Sequence, residues 1–365
     1  MALGIAGLRA RSGWGTCIVG IGALALAAAG CGGRSAPANT HAETGGARGS
    51  TSTTAVVTHP TVRTFNAGEN PHDLVAVGGN VWVADFGGPL REYDAQGHRL
   101  KTIAVDVQSM APARKSAWVG ELSNSNTGPQ GPLAEVDARS GRVVRRLTTR
   151  DPVDVLAVGD GGVWTASRFS TRITRISLNG RAQRTFKLPG APTAIAIGSS
   201  GVWVAYGPKP GLAGAAGEPS TGSGGVVKLD PSSGRELSNQ FESVVPTALV
   251  VAHGSVWVAL SNGVNGLDRL DEASDHSVAD TPIPAGEQPT GLAAGDGAVW
   301  VLNYSDGTIT RINPASGRVT GTIAFGPHTD PNRLAANSPI RVAVTPGTVW
   351  VSDAAANALH RLSVR

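Results

Sequence analysis

The sequence predicts an all-β protein, a seven-bladed β-propeller of four-stranded blades, and three observations support this prediction. A Val-Trp-Val-like stretch recurs along most of the chain, and successive tryptophans lie 36 to 54 residues apart, near the length of one propeller blade. Glycine is abundant at 49 residues, which indicates many tight turns. Each repeat also has the same internal order of apolar strands and turns. The seven tryptophans are Trp82, Trp118, Trp164, Trp203, Trp257, Trp300 and Trp350.

Each repeat except the second begins with a proline eleven or twelve residues before its tryptophan. A short apolar strand follows, and a Gly-containing turn such as Asp296-Gly297 leads into the Trp strand. Glycine supplies the positive φ that such a tight hairpin needs. The prolines are Pro71, Pro152, Pro192, Pro246, Pro289 and Pro339.

A third and a fourth strand complete each repeat. In the sixth repeat these are Ile309–Ile312 and Val319–Phe325, and Asn313–Gly317 forms the turn between them. Valines flank Trp300 on both sides, which predicts that both faces of the Trp strand are buried. One blade cannot cover two apolar faces by itself, whereas seven blades in a ring each cover the next. The tryptophans are therefore predicted to form the core.

The seventh repeat ends at Arg365, just after its third strand, Leu359–Val364. The segment Thr61–Gly68 precedes the first repeat and resembles the fourth strand of the sixth repeat. We expect this segment to complete the last blade, because that pairing closes the ring and covers a sheet edge.

Residues 1–30 are predicted to be a signal peptide. Two arginines precede the apolar run Cys17–Gly30, which is shorter than the about 20 residues that a membrane-spanning helix needs. The stretch Ala28-Ala29-Gly30-Cys31 resembles a bacterial lipobox, which implies lipid attachment at Cys31. An ordinary signal-peptidase site in the alanine-rich run is the alternative. The other cysteine, Cys17, lies inside the predicted leader.

Residues 31–60 are rich in Gly, Ser, Thr and Ala and are predicted to be a disordered tether, and residues 61–365 are predicted to form the propeller. The formal charge is +4, from 31 basic and 27 acidic residues. The sequence lacks the cluster of basic residues that is typical of nucleic-acid-binding proteins, so no nucleic-acid partner is expected. We expect an exported, monomeric protein that a lipid anchor holds on the extracytoplasmic side of a cell membrane or envelope.

The repeated pattern resembles that of bacterial YVTN/NHL-type propellers. It consists of Gly-x-Val-Trp-Val and then x-Arg-Ile-Asn/Asp-Pro-x-Ser-Gly-Arg-Val, and it covers about residues 61–365. More distantly, the chain resembles streptogramin lyases and sugar-lactone hydrolases. The resemblance implies the fold and leaves two kinds of function open. One is a noncatalytic binding or scaffolding module, and the other is a divalent-cation-dependent lyase or lactone hydrolase.

In a propeller, the loops entering the first strand of each blade and those leaving the second strand lie on one face. The position three residues after each tryptophan can form hydrogen bonds in six of the seven repeats. One interpretation is a polar funnel that binds a small molecule, a glycan, a peptide or an envelope protein, and the other is that these strand ends simply contact water. The candidate ligand-binding residues are Asp73, Asp85, Glu121, Arg168, Tyr206, Asn303, Tyr304, Arg341 and Asp353.

A cation-dependent enzyme would need oxygen ligands for Ca²⁺ or Mg²⁺ on this face. Four suitable donors come from repeats one, two, six and seven, which are neighbours in a closed ring. No catalytic residue is identified, since the sequence contains no nucleophile elbow, zinc-ligand spacing or phosphate-binding loop. The candidate metal ligands are Asp85, Glu121, Asn303 and Asp353. Longer insertions on the same face are predicted at Leu122–Pro132, Gly207–Gly225 and Gly326–Ser338.

Overall fold

The computed structural model describes residues 60–122, 131–210, 223–326 and 341–364. The chain from Ala55 onward forms one compact unit. The predicted signal peptide, Cys31 and all but the last residue of the predicted tether lie outside the described residues, as do most residues of the three insertions. Within the described ranges the regular secondary structure consists of β-strands. No helix in these ranges is long and apolar enough to cross a membrane.

The strands in chain order are β1 (Val62–Asn66), β2 (Pro71–Val77), β3 (Asn80–Asp85), β4 (Leu90–Tyr93), β5 (Arg99–Ile103), β6 (Val107–Pro112), β7 (Ser116–Glu121), β8 (Gly131–Asp137), β9 (Val143–Thr149), β10 (Val155–Gly159), β11 (Gly162–Ala166), β12 (Arg172–Ser177), β13 (Gln183–Lys187), β14 (Ala191–Ile197), β15 (Val202–Gly207), β16 (Gly224–Leu229), β17 (Glu236–Glu242), β18 (Pro246–Ala252), β19 (Ser255–Leu260), β20 (Gly266–Asp271), β21 (Ile283–Pro284), β22 (Pro289–Gly295), β23 (Ala298–Asn303), β24 (Thr308–Ile312), β25 (Val319–Ala324), β26 (Arg341–Thr345), β27 (Thr348–Asp353) and β28 (Ala358–Ser363).

These strands form seven four-stranded antiparallel sheets, the blades. Blades 1 to 6 each contain four strands that are consecutive in the chain, beginning with β2, β6, β10, β14, β18 and β22. The first strand of each blade packs against the first strand of the next, and β26 of blade 7 packs against β2 of blade 1. The sheets therefore stand radially around a central axis, which confirms the predicted seven-bladed propeller.

Blade 7 joins the two ends of the propeller. It contains β26, β27, β28 and, at its outer edge, β1. β1 pairs with β28 in an antiparallel register in which Val62 lies opposite Leu362 and Asn66 lies opposite Ala358. Thr64 Oγ1 also lies 3.0 Å from Nδ1 of the buried His360. The predicted closing strand is confirmed, and it covers the edge that β28 would otherwise expose.

All seven tryptophans of the repeat are fully buried between blades. In β23, Trp300 and Leu302 belong to one apolar cluster, whereas Val299 and Val301 belong to another on the opposite face. Successive side chains of a strand point to opposite faces of the sheet. The Trp strand therefore has apolar neighbours on both sides, as the sequence predicts.

A basic side chain covers the tryptophan ring in five blades. In blade 6, Arg311 pairs with Trp300 across β23 and β24, and its guanidinium carbon lies 5.7 Å from the ring centroid. Such a contact combines cation–π attraction with packing of the alkyl stem. The arginine of the repeated x-Arg-Ile pattern is thus part of the core. The other pairs are Arg175 with Trp164, Lys228 with Trp203, Arg269 with Trp257, and Arg361 with Trp350.

Hydrogen bonds from outer strands to the turn of the next blade link several blades. Arg184 Nη1 donates to the carbonyl oxygen of Ser232 at 2.9 Å, which links blades 3 and 4. Arg361 Nε donates to the carbonyl oxygen of Ala95 at 2.7 Å, which links blades 7 and 1. The receiving turns are rigid, because an Asp or Asn side chain accepts backbone N–H groups within the turn, as Asp230 does from Ser232 and Ser233.

Candidate functional site

We call the upper face the side that carries the loops entering the first strands and the hairpins between the second and third strands. A β-bulge lies at the start of the first strand in blades 1, 2, 4, 5 and 6. In blade 1, Pro71 lies opposite Asp85 and Asp73 lies opposite Ala84, so His72 has no partner in the register. A bulge redirects the extra side chain. Proline is tolerated at this position because it starts the strand.

The bulged side chains reach the first strand of the next blade. Thr193 Oγ1 donates to the carbonyl oxygen of Pro246 at 2.7 Å, and Thr247 Oγ1 donates to that of Pro289 at 2.6 Å. In blade 1, His72 Nε2 donates to the carbonyl oxygen of Gln108 at 2.7 Å. Burial lowers the pKa of His72, although the charge of Asp73 opposes this effect. These contacts link the upper ends of the first strands of blades 1 and 2 and of blades 4, 5 and 6.

Asp73, one of the candidate ligand-binding residues, also links first strands of neighbouring blades. Its Oδ2 accepts the backbone N–H of Met110 in blade 2 at 2.6 Å. Its Oδ1 lies 3.6 Å from Nε of Arg341 in blade 7, another candidate. The buried Asp73 carboxylate therefore connects three blades, and the half-exposed Arg341 side chain extends toward solvent beside it.

The structure places the carboxylates of Asp85 and Glu121 in ion pairs within their own blades. Asp85 Oδ2 accepts a hydrogen bond from Nη1 of Arg91 at 2.6 Å. Glu121 binds Arg146 of the outermost strand through both oxygens, at 3.1 and 3.2 Å. Asp353 Oδ1 accepts the backbone N–H of Ala356 at 3.0 Å, and its Oδ2 lies 3.6 Å from Nε2 of His360.

The uncharged candidates are also engaged within their blades. Tyr206 donates its hydroxyl to Oδ1 of Asn239 on the outermost strand at 2.8 Å, and burial raises the pKa of that hydroxyl. The fully buried Asn303 donates from Nδ2 to the hydroxyls of Thr308 and Thr310. Tyr304 is buried in the apolar cluster of blade 6.

One physical reason explains these placements. Side chains stand perpendicular to a sheet, and the sheets of a propeller stand radially. A residue at the end of a second strand therefore projects between blades, where it contacts the outer strands, and not toward the central axis. Of the candidates, Asp73 and Arg341 lie on first strands and are brought within 3.6 Å of each other, whereas Asp85, Glu121 and Tyr206 contact side chains of their own blades. Arg168 differs from most of them, since its side chain is exposed, while its backbone N–H donates to Oδ2 of the buried Asp154 at 3.0 Å.

The four candidate metal ligands are spread over separate contacts of this kind. Among residues 60–122, 131–210, 223–326 and 341–364, no three His, Cys, Asp or Glu side chains are grouped so that they could hold a metal ion. Asp85 and Glu121 each bind an arginine, Arg91 and Arg146.

The upper face also exposes apolar side chains that the sequence analysis did not single out. Phe86, Leu122 and Phe169 follow the second strands of blades 1, 2 and 3, and their exposed fractions are 45%, 37% and 76%. Phe86 contacts His72 edge to face, with ring centroids 5.1 Å apart. Leu122 lies beside the blade 1 hairpin, because a Cβ added at Gly87 would lie 3.3 Å from its Cδ2. The sequence signal was an apolar residue four or five positions after the tryptophan.

A cleft of about 560 Å³ lies beside Phe169 on the upper face, and we call it the blade 3 cleft. Its lining combines one aromatic ring, hydroxyl groups and basic groups. The lining residues are Asp151, Pro152, Ser167, Phe169, Ser170, Thr171, Arg172, Lys209 and Pro210.

Glu242, at the upper end of β17, is a half-buried acid outside this cleft. Burial and the nearby charge of Asp268 in blade 5 raise its pKa to about 7 from an ordinary 4.5. The folded state therefore holds this proton more tightly than the unfolded state, so Glu242 lowers the free energy of unfolding as pH rises from about 4.5 to 7.

Replacing Glu242 by Gln is expected to raise the free energy of unfolding at pH 8 by about 1–2 kcal/mol, a figure reduced for partial exposure. At pH 4 the same change should have little effect, because the carboxyl is then protonated in both states. Urea unfolding of both proteins across this range measures the difference. Glu236→Gln, on the same strand but exposed, is the control. Parallel pH profiles for Glu242→Gln and the parent chain would contradict the prediction.

No protein-family model and no curated protein matches the chain. Solved structures match it at low sequence identity. Hydrazine synthase from Kuenenia stuttgartiensis is 11% identical, with 81% of this chain and 96% of that chain covered and a TM-score of 0.57. The β-propeller domain of Cps50 (Swd1) from Myceliophteria thermophila is 12% identical, with 84% and 100% covered and a TM-score of 0.60.

The WD40 domain of Pan2 from Neurospora crassa is also similar, at 12% identity, with 82% of this chain and 90% of that chain covered and a TM-score of 0.58. At such identities the likeness shows the fold alone. The chain is therefore a seven-bladed β-propeller whose activity must be inferred from its own surface.

Proposed function

We propose that this protein is a membrane-tethered, extracytoplasmic binding or scaffolding module of the YVTN/NHL-type propeller group, and that it acts through its upper face. The observation that supports a binding surface is the exposure of Phe86, Leu122 and Phe169 on three consecutive hairpins. Neighbouring exposed apolar groups on a rigid scaffold are typical of interaction sites. The bound partner is a small molecule, a glycan or an envelope protein.

The backbone beside Phe86 and Leu122 is held by hydrogen bonds, which favours binding. Gly87 N–H donates to the carbonyl oxygen of Val107 at 2.9 Å, and Leu122 N–H donates to that of Asp106 at 2.9 Å, so Gly87 and Leu122 are held by neighbouring residues of blade 2. A preorganised surface loses little conformational entropy when a partner binds.

Cross-linking from the upper face tests the binding function in the full-length, membrane-bound protein. A photoreactive amino acid in place of Leu122 is expected to give specific adducts with a cell-envelope component. The same amino acid in place of Val278, which is 50% exposed on a turn of the opposite face, is the matched control. Equal adduct patterns at both positions, or none at Leu122, would argue against the proposed surface.

Substitution of the two cysteines tests the proposed membrane attachment. Cys31→Ser is expected to move the protein from the membrane pellet to the soluble fraction, because the predicted lipid anchor is lost. Cys17→Ser is the control and should leave the protein in the pellet. Persistence of the Cys31→Ser protein in a carbonate-washed membrane pellet would exclude lipid attachment at this residue as the anchor.

A further inference from the structure

The charges around the blade 3 cleft are unbalanced. The one carboxylate in its lining, Asp151, is already bound by Arg172 through two hydrogen bonds of 2.5 and 3.1 Å. Lys209 lines the cleft, and the exposed Arg168 directly precedes Phe169 in the hairpin. Within the described parts of the chain, neither Lys209 nor Arg168 has an ion-pair partner. Among the described residues, the cleft therefore presents more basic than acidic groups.

Further positive charge lies at the rim of the cleft. Arg150 is exposed in the loop that enters blade 3, and the exposed Lys187 pairs with Arg172 across β12 and β13. The upper face of blade 6 differs in charge, because acidic side chains are exposed there. In blade 6, the exposed Glu287 and the half-exposed Asp306 lie at the corresponding loops. Positive charge thus surrounds the blade 3 cleft, and it would attract and orient an anionic partner.

Phe169 is presented on a rigid turn. Ser167 Oγ donates to Oδ2 of the buried Asp154 at 2.8 Å, and the backbone N–H of Arg168 donates to the same oxygen at 3.0 Å. Ser170 N–H donates to the carbonyl oxygen of Ser167 at 3.0 Å, which closes the turn. The ring is 76% exposed although its backbone is fixed. An aromatic side chain held in this way is suited to anchor an apolar group of a partner.

The charge of the cleft and the exposed Phe169 favour an acidic polypeptide over a neutral sugar. Lys and Arg only donate hydrogen bonds, and the acidic group of the lining is occupied by Arg172. The hydroxyl groups of Ser170 and Thr171 could bind a sugar, but a neutral sugar would leave the charge of Lys209 and Arg168 unpaired. Carboxylates, by contrast, need donors only. Acidic side chains beside apolar ones meet both features of the cleft.

We propose that the blade 3 cleft docks an acidic polypeptide segment that carries apolar side chains, with carboxylates bound by Arg168 and Lys209 and an apolar side chain packed on Phe169. This inference rests on the proposed binding function and names the partner class and the subsite. In an extended segment, alternate side chains point to opposite sides. Residues of alternating acidic and apolar character would therefore serve both features at once.

A labelled peptide tests this proposal. The probe is a short fluorescein-labelled peptide of alternating glutamate and phenylalanine, and anisotropy measures its binding to residues 55–365, whose seven blades close on themselves. We expect binding that weakens as salt rises. The same peptide with lysine in place of glutamate should not bind.

Variants locate the binding. Phe169→Ala is expected to weaken binding about tenfold, as hot-spot aromatic residues do. Arg168→Glu with Lys209→Glu should weaken it further. Phe241→Ala, at an 81% exposed phenylalanine on β17, and Arg318→Glu, on an exposed turn of the opposite face, are controls that should change the affinity less than about twofold.

Three results would overturn the proposal. These are no binding of the acidic peptide at low salt, equal losses in the cleft variants and the controls, or binding of polygalacturonate that requires Phe169 and Lys209 while the peptide does not bind. The last result would make the cleft a site for an anionic glycan. Upper-face cross-links from Leu122 together with any of these results would leave the binding function standing and remove only this subsite.

Discussion

Deleting residues 1–66 is expected to lower the Tm of the propeller by on the order of 10 °C or more, or to prevent folding. The deletion removes β1, which exposes the whole edge of β28. It also removes Phe65 from the apolar cluster that contains Leu74 and Leu359. The deletion also opens the ring, because among the described residues blade 7 alone joins the two ends of the propeller.

Deleting residues 1–59 keeps β1 and is the matched control, which should retain the Tm of the parent chain. Circular dichroism during heating, with size-exclusion chromatography to detect aggregation through the open edge, measures both effects. A peptide of residues 58–68 added to the shorter protein should partly restore its Tm. If the two deletions melt at the same temperature, ring closure by β1 does not stabilise the fold.

Replacing Trp300 by Ala is expected to lower the free energy of unfolding by about 3–5 kcal/mol. The side chain is fully buried between two blades, so its loss leaves a cavity. It also removes the hydrogen bond from Nε1 to the carbonyl oxygen of Gly295 at 3.1 Å and the surface on which Arg311 packs. Denaturant unfolding followed by circular dichroism measures the change.

Trp300→Phe separates these contributions, since it keeps most of the apolar area and loses the hydrogen bond. We expect it to cost about half as much as Trp300→Ala. Phe241→Ala, at a strongly exposed ring, should cost less than about 0.5 kcal/mol. A loss of under about 1 kcal/mol for Trp300→Ala would show that the repeated tryptophan is not a main source of stability.

The fold could be predicted closely from local patterns. The Gly-containing turns, the alternation around each tryptophan and the spacing of the repeats all act within one blade, where a short range of sequence specifies the structure. The strand β24, Thr308–Ile312, lies within one residue of its predicted bounds, and the closing strand pairs as predicted. The arginine of the third strand was part of the recognised pattern, but its position over the tryptophan ring depends on the pairing of β23 with β24.

The candidate site was less predictable. The sequence showed that polar residues end the second strands on one face, yet Asp85, Tyr206 and Asp353 bind partners within their own blades. Arg168 is exposed beside a cleft that forms from separate blades. Neither the exposure of Phe169 nor the unbalanced charge near Lys209 has a periodic signal in the sequence.

The sequence by itself determined the blade, its seven repeats and the strand that closes the ring, because strand and turn preferences act over a few residues and were repeated seven times. Only the tertiary structure decided which upper-face side chains meet solvent and which are bound within or between blades. That outcome depends on the radial arrangement of the sheets and on bulges such as the one at His72. Both arise from packing between blades, which no single repeat encodes.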